Sequence, residues 1–327
     1  MKTPRFWYPD SGDRLPMLLA SLLAPLSSVF KAGTRFRRLF ASAYHSRVPL
    51  VCVGNVVAGG AGKTPTALAL ARILKSRGQK PVFVTRGYGG KGFLTCVDPS
   101  RHKAGDVGDE ALLLSSVAPT WAGRDRVRAV RDAEVNGSVV IVDDGFQNPN
   151  LAPKTAILVV DGDSGLGNGR IIPAGPLRET FEEAVSRAHA MVLIGESDRQ
   201  NLAARVRIPV FRARIEPNLP LGFPRFGEFV AFAGLARPEK FFATAQSLGL
   251  NIVSAREYPD HYLYTAADID ALRLEAEERG ARLLTTEKDA MRLPLIFRAE
   301  VVILPVRLVF NEPGAEKALA DMILRKR

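Results

Sequence analysis

The run Ala58-Gly59-Gly60-Ala61-Gly62-Lys63-Thr64-Pro65 sets glycines, an ammonium and a hydroxyl side by side. That combination suits phosphate. Glycines let successive backbone N–H groups close around phosphate oxygens, and a helix that starts there adds the positive end of its dipole. Lys63 would reach the β- and γ-phosphates of ATP, and Thr64 would offer its hydroxyl to Mg²⁺. Further along, Asp143-Asp144-Gly145-Phe146-Gln147 follows an apolar run. Carboxylates at the end of a strand beside a phosphate loop are placed to hold Mg²⁺, directly or through water. Alone, Asp-Gly is an ordinary turn; the glycine loop gives the acids a partner.

These groups need elements to position them. Val48–Val53 reads as a short buried strand, Gly54 through Gly62 as a loop, and Thr66–Lys75 as a helix. Strand, glycine loop and helix in that order are the setting of a phosphate-binding loop. The loop departs from the usual pattern at Val57, where glycine is ordinary. Its Gly-Gly-Ala-Gly-Lys-Thr core is similar to the variant loops of dethiobiotin synthetase and the cell-division ATPases. Ser138–Val142 reads as a second buried strand. A third, Pro81–Val84, leads into Thr85-Arg86-Gly87-Tyr88-Gly89-Gly90. Val107-Gly108-Asp109-Glu110 opens an apolar helix at Ala111, where a carboxylate reads first as an N-cap. Gly167-Asn168-Gly169-Arg170 and Pro173 to Glu179 form a long loop marked by glycine and proline. Arg178 suits phosphate or transition-state charge, or a solvated pair with Glu179.

The second half repeats the alternation. Glu228–Leu235 is a strand, Pro238–Leu248 a helix, Asn251–Ala255 a strand, and Thr265 caps a helix over Ala266–Arg279. Arg282–Thr285, Val301–Leu304 and Val306–Phe310 are late strands, followed by a short basic helix. This predicts α/β architecture: a P-loop NTPase-type α/β/α sandwich with a second, smaller α/β domain. The expected division is residues 1–45, 46–215 and 216–327. Val210–Ile215 would run out between the units, and Val306–Phe310 and the last helix would return to the first. His261, in Tyr258-Pro259-Asp260-His261-Tyr262, reads as a structural histidine in a turn.

At 327 residues with 46% hydrophobic and 24% charged residues, the chain has material for two soluble domains. Cys52 and Cys96 cannot build a disulfide framework, which fits a reducing compartment. The net charge is +11, and residues 1–50 hold eight Lys/Arg against two acids. A basic surface draws nucleic acid, anionic lipid or a phosphorylated substrate. No nucleic-acid-reading motif is present, so nucleic acid is not expected as a partner. Leu15, Leu18, Leu19, Leu22, Leu23, Leu26 and Phe30 recur at helical spacing. Asp13 is the expected N-cap, Pro16 suits a first turn, and Pro25 should kink or break the helix. The stretch Leu15–Phe30 is shorter than the ~20 residues that span a bilayer, and no small-residue cleavage site follows it. With Lys31, Arg35, Arg37 and Arg38 behind it, the helix either lies in an anionic membrane interface or packs on the domain core.

Taken in order, these segments resemble tetraacyldisaccharide 4′-kinase, the lipid A 4′-kinase of Gram-negative bacteria. The resemblance rests on Val53–Asn55, Gly59–Pro65, Arg86–Gly89, Val107–Glu110, Asp143–Gln147, Gly167–Arg170, Pro173–Glu179, Ala231–Leu235 with Pro238-Glu239, Pro259–His261 and Leu284–Asp289. It implies two α/β/α domains with the active site in their cleft. It implies transfer of phosphate from ATP, with Mg²⁺, to the 4′-hydroxyl of a tetraacylated glucosamine disaccharide 1-phosphate, giving lipid IVA. It also implies a peripheral enzyme on the cytoplasmic face of the inner membrane, which favours the interfacial helix. By the same resemblance, Lys63 and Thr64 are the phosphate-loop residues, with Ala58–Pro65 holding the nucleotide. Asp109 is the general base and His261 its partner. Asp143 and Asp144 serve metal and phosphate chemistry. Gln147, Arg178 and Glu179 are further site positions, Gln147 beside the nucleotide, Arg178 catalytic and Glu179 with the metal. Ala61 stands where the family has Thr, and Ala111 where it has Pro; neither removes a reactive group. Two other readings stand beside this one: a membrane-associated nucleotide switch of the cell-division ATPase branch, and a kinase or ligase for a soluble metabolite, which the leucine-rich basic amino terminus disfavours.

Overall fold

A computed structural model describes residues 4–8 and 14–325. Its strands, in chain order, are β1 (Leu50–Gly54), β2 (Pro81–Thr85), β3 (Thr95–Cys96), β4 (Thr120–Ala122), β5 (Val139–Asp143), β6 (Thr155–Asp161), β7 (Ala190–Ile194), β8 (Val210–Pro217), β9 (Glu228–Ala233), β10 (Asn251–Glu257), β11 (Arg282–Thr286), β12 (Val302–Leu304) and β13 (Val306–Phe310). They form two sheets. The larger runs β13-β8-β7-β6-β1-β5-β2-β4-β3, and the smaller runs β10-β9-β11-β12. Strands β8 to β4 of the larger sheet are parallel throughout, with antiparallel edges at β13 and β3. All pairs of the smaller sheet are parallel.

The central strands read as unbroken apolar runs because both faces are covered. Every residue of β1, β5 and β7 is buried, as a parallel sheet between helical layers requires. On one face Ala67, Leu70, Leu74, Leu319 and Ile323 pack on Val51, Ile141 and Val192. On the other, Ala129 and Val130 meet Cys52 and Val142, and Phe181 and Ala184 meet Leu158 and Met191. The result is a three-layer α/β/α sandwich. The chain leaves the larger sheet at β8, builds the smaller one, and returns as β13 antiparallel to β8. Helix Ala315–Leu324 then packs back on the first layer.

β1 lies between β5 and β6; the chain leaves β1 toward β2 on one side of the sheet and leaves β6 toward β7 on the other. Ligands of open α/β sheets bind outside the carboxyl ends of strands at such a switch point. Gly54, Asp143 and Asp161 end β1, β5 and β6 and face that crevice.

Helix α1 (Arg14–Leu39) is longer than expected and is not broken at its proline. It runs through Pro25 without ending, and it is a full 26 residues long. Pro25 lies on the exposed side. The apolar window Met17–Leu39 has the length and composition of a membrane span. Among the described side chains most of its apolar residues do not pack on the core either: Leu22 is 69% and Val29 70% exposed, and Leu18, Leu26, Phe36 and Leu39 are also exposed. Asp13, the expected cap, lies outside the described residues.

Candidate active site

The phosphate loop joins β1 to helix α2 (Lys63–Ser76). Gly62 caps α2 in the left-handed region at φ 84°, so α2 begins at Lys63 rather than at Thr66. Lys63 and Thr64 therefore sit in the first helical turn, where backbone N–H groups have no intrahelical acceptor. Val57 explains the departure from an all-glycine loop. It forms an antiparallel bridge with Leu177 and is buried among Val56, Ala61, Phe146 and Leu166. Ala61 is buried in the same cluster, and Ala111 is buried beside Val107 and Leu112.

The structure separates the two adjacent aspartates. Asp143 Oδ2 accepts the Thr64 hydroxyl at 3.0 Å. Asp144 lies in the left-handed region at φ 52°, turned toward cations. Its oxygens accept from Arg178 Nη1 at 3.0 and 3.2 Å, and Lys63 Nζ lies 3.9 Å away. Arg126 donates to the Asp144 carbonyl. Their protonation diverges accordingly. Burial, the charge of Glu110 and the charge of Asp144 push Asp143 up to about 7, against Lys63 and the Thr64 hydroxyl. Burial also works to raise Asp144, but Lys63, Arg178 and Arg126 outweigh it and hold the carboxyl below its usual range. Two carboxylates driven apart in this way are a common mark of a working site.

Glu179 does not sit with the metal candidates. Its buried carboxylate accepts from Arg38 Nη2 at 2.7 Å, Arg187 Nη2 at 2.6 Å and Gln147 Nε2 at 3.2 Å. The carboxylate expected beside Mg²⁺ is thus held by two guanidinium groups in this structure. Gln147 also donates to the Asn55 carbonyl at 2.5 Å. Among the described residues no cluster of three or more His, Cys, Asp or Glu forms a metal cage. The donors fit a metal completed by phosphate oxygens instead: one hydroxyl and one carboxylate beside the loop. The surroundings also fit a nucleotide. A Cβ at Gly59 or Gly60 would meet nothing within 4 Å, and the buried oxygens Asn55 Oδ1 and Gln147 Oε1 lack a hydrogen-bond partner.

A second group of side chains comes from both sheets. Asp109 starts helix Asp109–Ser115 and is buried. His261, from the loop after β10, holds Nδ1 at 3.1 and 3.0 Å from the two Asp109 oxygens. It too has a positive φ, 60°, which costs energy for a non-glycine residue and collects at functional sites. Lys288 Nζ lies 3.3 Å from His261 Nε2 and 3.3 Å from Glu110 Oε1. A lysine ammonium can only donate there, so Nδ1 carries the imidazole proton and donates it to Asp109. Arg292 Nε lies 3.2 Å from Asp109 Oδ2, and its Nη2 lies 3.0 Å from Asp289. Burial works to raise Asp109, but His261, Lys288 and Arg292 outweigh it and hold it ionised. Burial works to lower Lys288, but Glu110, Asp109 and Asp260 keep it charged. Tyr88 packs on the His261 ring, centroid to centroid 4.9 Å. Arg292 carried no sequence signal, and Lys288 only its place in Leu284–Asp289, because both act across about 180 residues of chain. The charge of Glu110 reaches Asp143, which ties the two groups together.

A groove of about 730 Å³ lies between α1 and the loops that follow β2, β4 and β5. Arg37, Arg38, Arg86, Arg124, Arg126 and Arg178 line it, with Asp144 and Gln147. It is a strongly cationic surface, and Asp144 on its wall lies 3.9 Å from Lys63.

The tetraacyldisaccharide-1-P 4′-kinase family model matches residues 19–324. A tetraacyldisaccharide 4′-kinase of Parvibaculum lavamentivorans is 49% identical over 300 residues, covering 90% of this chain and 87% of that protein. One from Rhodospirillum centenum is 45% identical over 333 residues, covering 100% and 98%. The crystal structure of LpxK from Aquifex aeolicus in complex with ATP matches with a TM-score of 0.75 at 26% identity, over 94% of this chain and 99% of that one. The chain belongs to the tetraacyldisaccharide-1-P 4′-kinase family.

Proposed function

We propose that this protein transfers the γ-phosphate of ATP to the 4′-hydroxyl of tetraacyldisaccharide 1-phosphate, forming lipid IVA at the cytoplasmic face of the bacterial inner membrane. The observation that carries this reading is a phosphate loop joined to an ionised carboxylate–imidazole pair, in a chain whose family membership spans nearly its whole length.

Each residue has a part in that chemistry. The acceptor oxygen attacks phosphorus as its proton leaves, and Asp109 receives the proton. His261, donating through Nδ1, and Arg292 hold the carboxylate in place. The loop N–H groups from Ala58 to Thr64 and the start of α2 cradle the donor phosphates. Lys63 and Arg178, both steadied by Asp144, meet charge on the transferring group. Mg²⁺, when bound, neutralises phosphate charge, and Thr64 with Asp143 would hold it. The arginine-lined groove suits an anionic sugar acceptor. The topology supports a division into residues 1–45, 46–215 and 216–327, with β13 and the last helix rejoining the first unit. The exposed leucines of α1 support attachment to an anionic membrane surface, with Arg37 at the head-group level.

The deciding assay supplies γ-labelled ATP, Mg²⁺ and the disaccharide 1-phosphate in detergent micelles. Label in the lipid is expected. Label only in free phosphate, with or without acceptor, would refute the kinase and return the nucleotide-switch reading, which the family match disfavours.

A further inference from the structure

Helix α1 has a second face. Ser27, Lys31, Arg35 and Arg38 fall on one stripe at helical spacing, opposite the exposed leucines. Ser27 Oγ donates to the Ile171 carbonyl at 2.7 Å and accepts from the Ala174 N–H at 3.3 Å. Lys31 and Arg35 pair with Glu183 at 3.6 and 2.5 Å, and Arg38 pairs with Glu179 at 2.7 Å. Just before α1, Trp7 Nε1 donates to the Pro173 carbonyl at 3.1 Å, and the Trp7 carbonyl accepts from Asn168 N–H at 2.8 Å. All these contacts fall on the segment 166–183, and most on the loop that ends at Arg178 and Glu179.

The other side of that loop lies against the phosphate loop. Ala58 N–H donates to Pro176 at 2.8 Å, and Arg178 N–H donates to Val56 at 2.7 Å. Side chains continue the link. Arg38 holds Glu179, Glu179 accepts from Gln147, Gln147 donates to Asn55, and Asn55 Nδ2 donates to the Gly59 carbonyl at 3.3 Å. The loop closes on itself through Ile172 N–H to the Leu177 carbonyl and Leu177 N–H to the Arg170 carbonyl, so it moves as a unit whose seat against the phosphate loop depends on what braces it.

We propose that Ser27 and Arg38 are positioning residues for phosphoryl transfer. They brace the loop before Glu179 against the phosphate loop, so the helix with the exposed apolar face also sets Arg178. The proposal rests on the kinase reading, and its test separates the two.

The test measures transfer to lipid in micelles for wild type, Arg38→Met and Arg38→Lys, with ATP KM, vesicle partition and thermal midpoint alongside. Arg38→Met is expected to lose about tenfold or more in kcat, the scale of a small misplacement near reacting atoms. ATP KM and vesicle partition should stay near wild type, and Arg38→Lys should recover most of the loss. Wild-type kcat in Arg38→Met overturns the proposal, as does a loss that tracks vesicle binding and vanishes in micelles. Should Arg38→Met fold poorly, Ser27→Ala removes only a hydroxyl and should lose about threefold in kcat; wild-type kcat there also overturns the brace. If wild type itself puts no label into lipid, the kinase reading has failed and the brace falls with it.

Discussion

Burial gives neighbouring residues opposite tasks. Asp143 and Asp144 are consecutive, yet one is paired with a hydroxyl and the other with an arginine and a lysine. Asp143, with its usual value near 3.8 and a folded value of about 7, contributes stability that is fully present below pH 3.8 and is lost as pH rises through 7. Asp143→Asn should therefore raise the thermal midpoint of the nucleotide-free protein at pH 8 and leave it little changed at pH 4, by about 2–4 °C for each kcal/mol relieved. A midpoint unmoved at pH 8 would mean that the buried carboxylate carries no such penalty. Lys63→Ala and Asp109→Ala should each lose at least about a hundredfold in turnover, the scale for a positioned charge and a general base. Wild-type turnover in Asp109→Ala would remove it as the proton acceptor. The glycine loop and the Asp143-Asp144 turn each read from local sequence, but the contact of Thr64 with Asp143 across 79 residues comes from the fold. Glu179 adjoins Arg178 in the chain, but its ion pairs are with Arg38 and Arg187, which no local window shows.

Elements were read well where periodicity is local. β1, β5 and the helix over Ala266–Glu278 lie within a few residues of their expected bounds, and Thr265 caps that helix as its sequence position implies. Helix α1 was read too short, because the expectation stopped at the end of the leucine pattern. Its later turns are held by ion pairs to Glu179 and Glu183, more than 140 residues away, which no window on the sequence contains. Its two faces predict separable effects. Leu22→Glu with Leu26→Glu should reduce partition onto anionic vesicles by about tenfold or more, since each buried leucine is worth about 1.5–3 kcal/mol. Turnover in micelles should stay near wild type. Unchanged vesicle binding would remove these leucines from the membrane contact.

At the scale of the whole molecule, the proposed base is a joint product of both sheets. Asp109 precedes the crossing to the second sheet; His261, Lys288 and Arg292 follow it. Sequence order alone reads His261 as a turn histidine. Only the fold, or likeness to a family, brings it to Asp109. Arg292 is the sharpest case, with a side chain 1% exposed and a carboxylate on either side. Arg292→Met should destabilise by about 3–5 kcal/mol in urea unfolding, the cost of stranding buried charge, and should lower turnover as Asp109 loses its hold. Wild-type stability would show that the second sheet does not need this pair.

The route of the chain through β8 and β13 also has a consequence for its synthesis. The ribosome delivers the edge strand β13 and the covering helix Ala315–Leu324 only after the whole smaller sheet has emerged. Until then one side of α2 lacks Leu319 and Ile323, and the sheet, short of β13, has an open edge at β8. A nascent chain can form its phosphate loop early, but it cannot seal the layer behind that loop. A chain cut short before residue 306 lacks both β13 and the covering helix, so the layer behind its phosphate loop stays open.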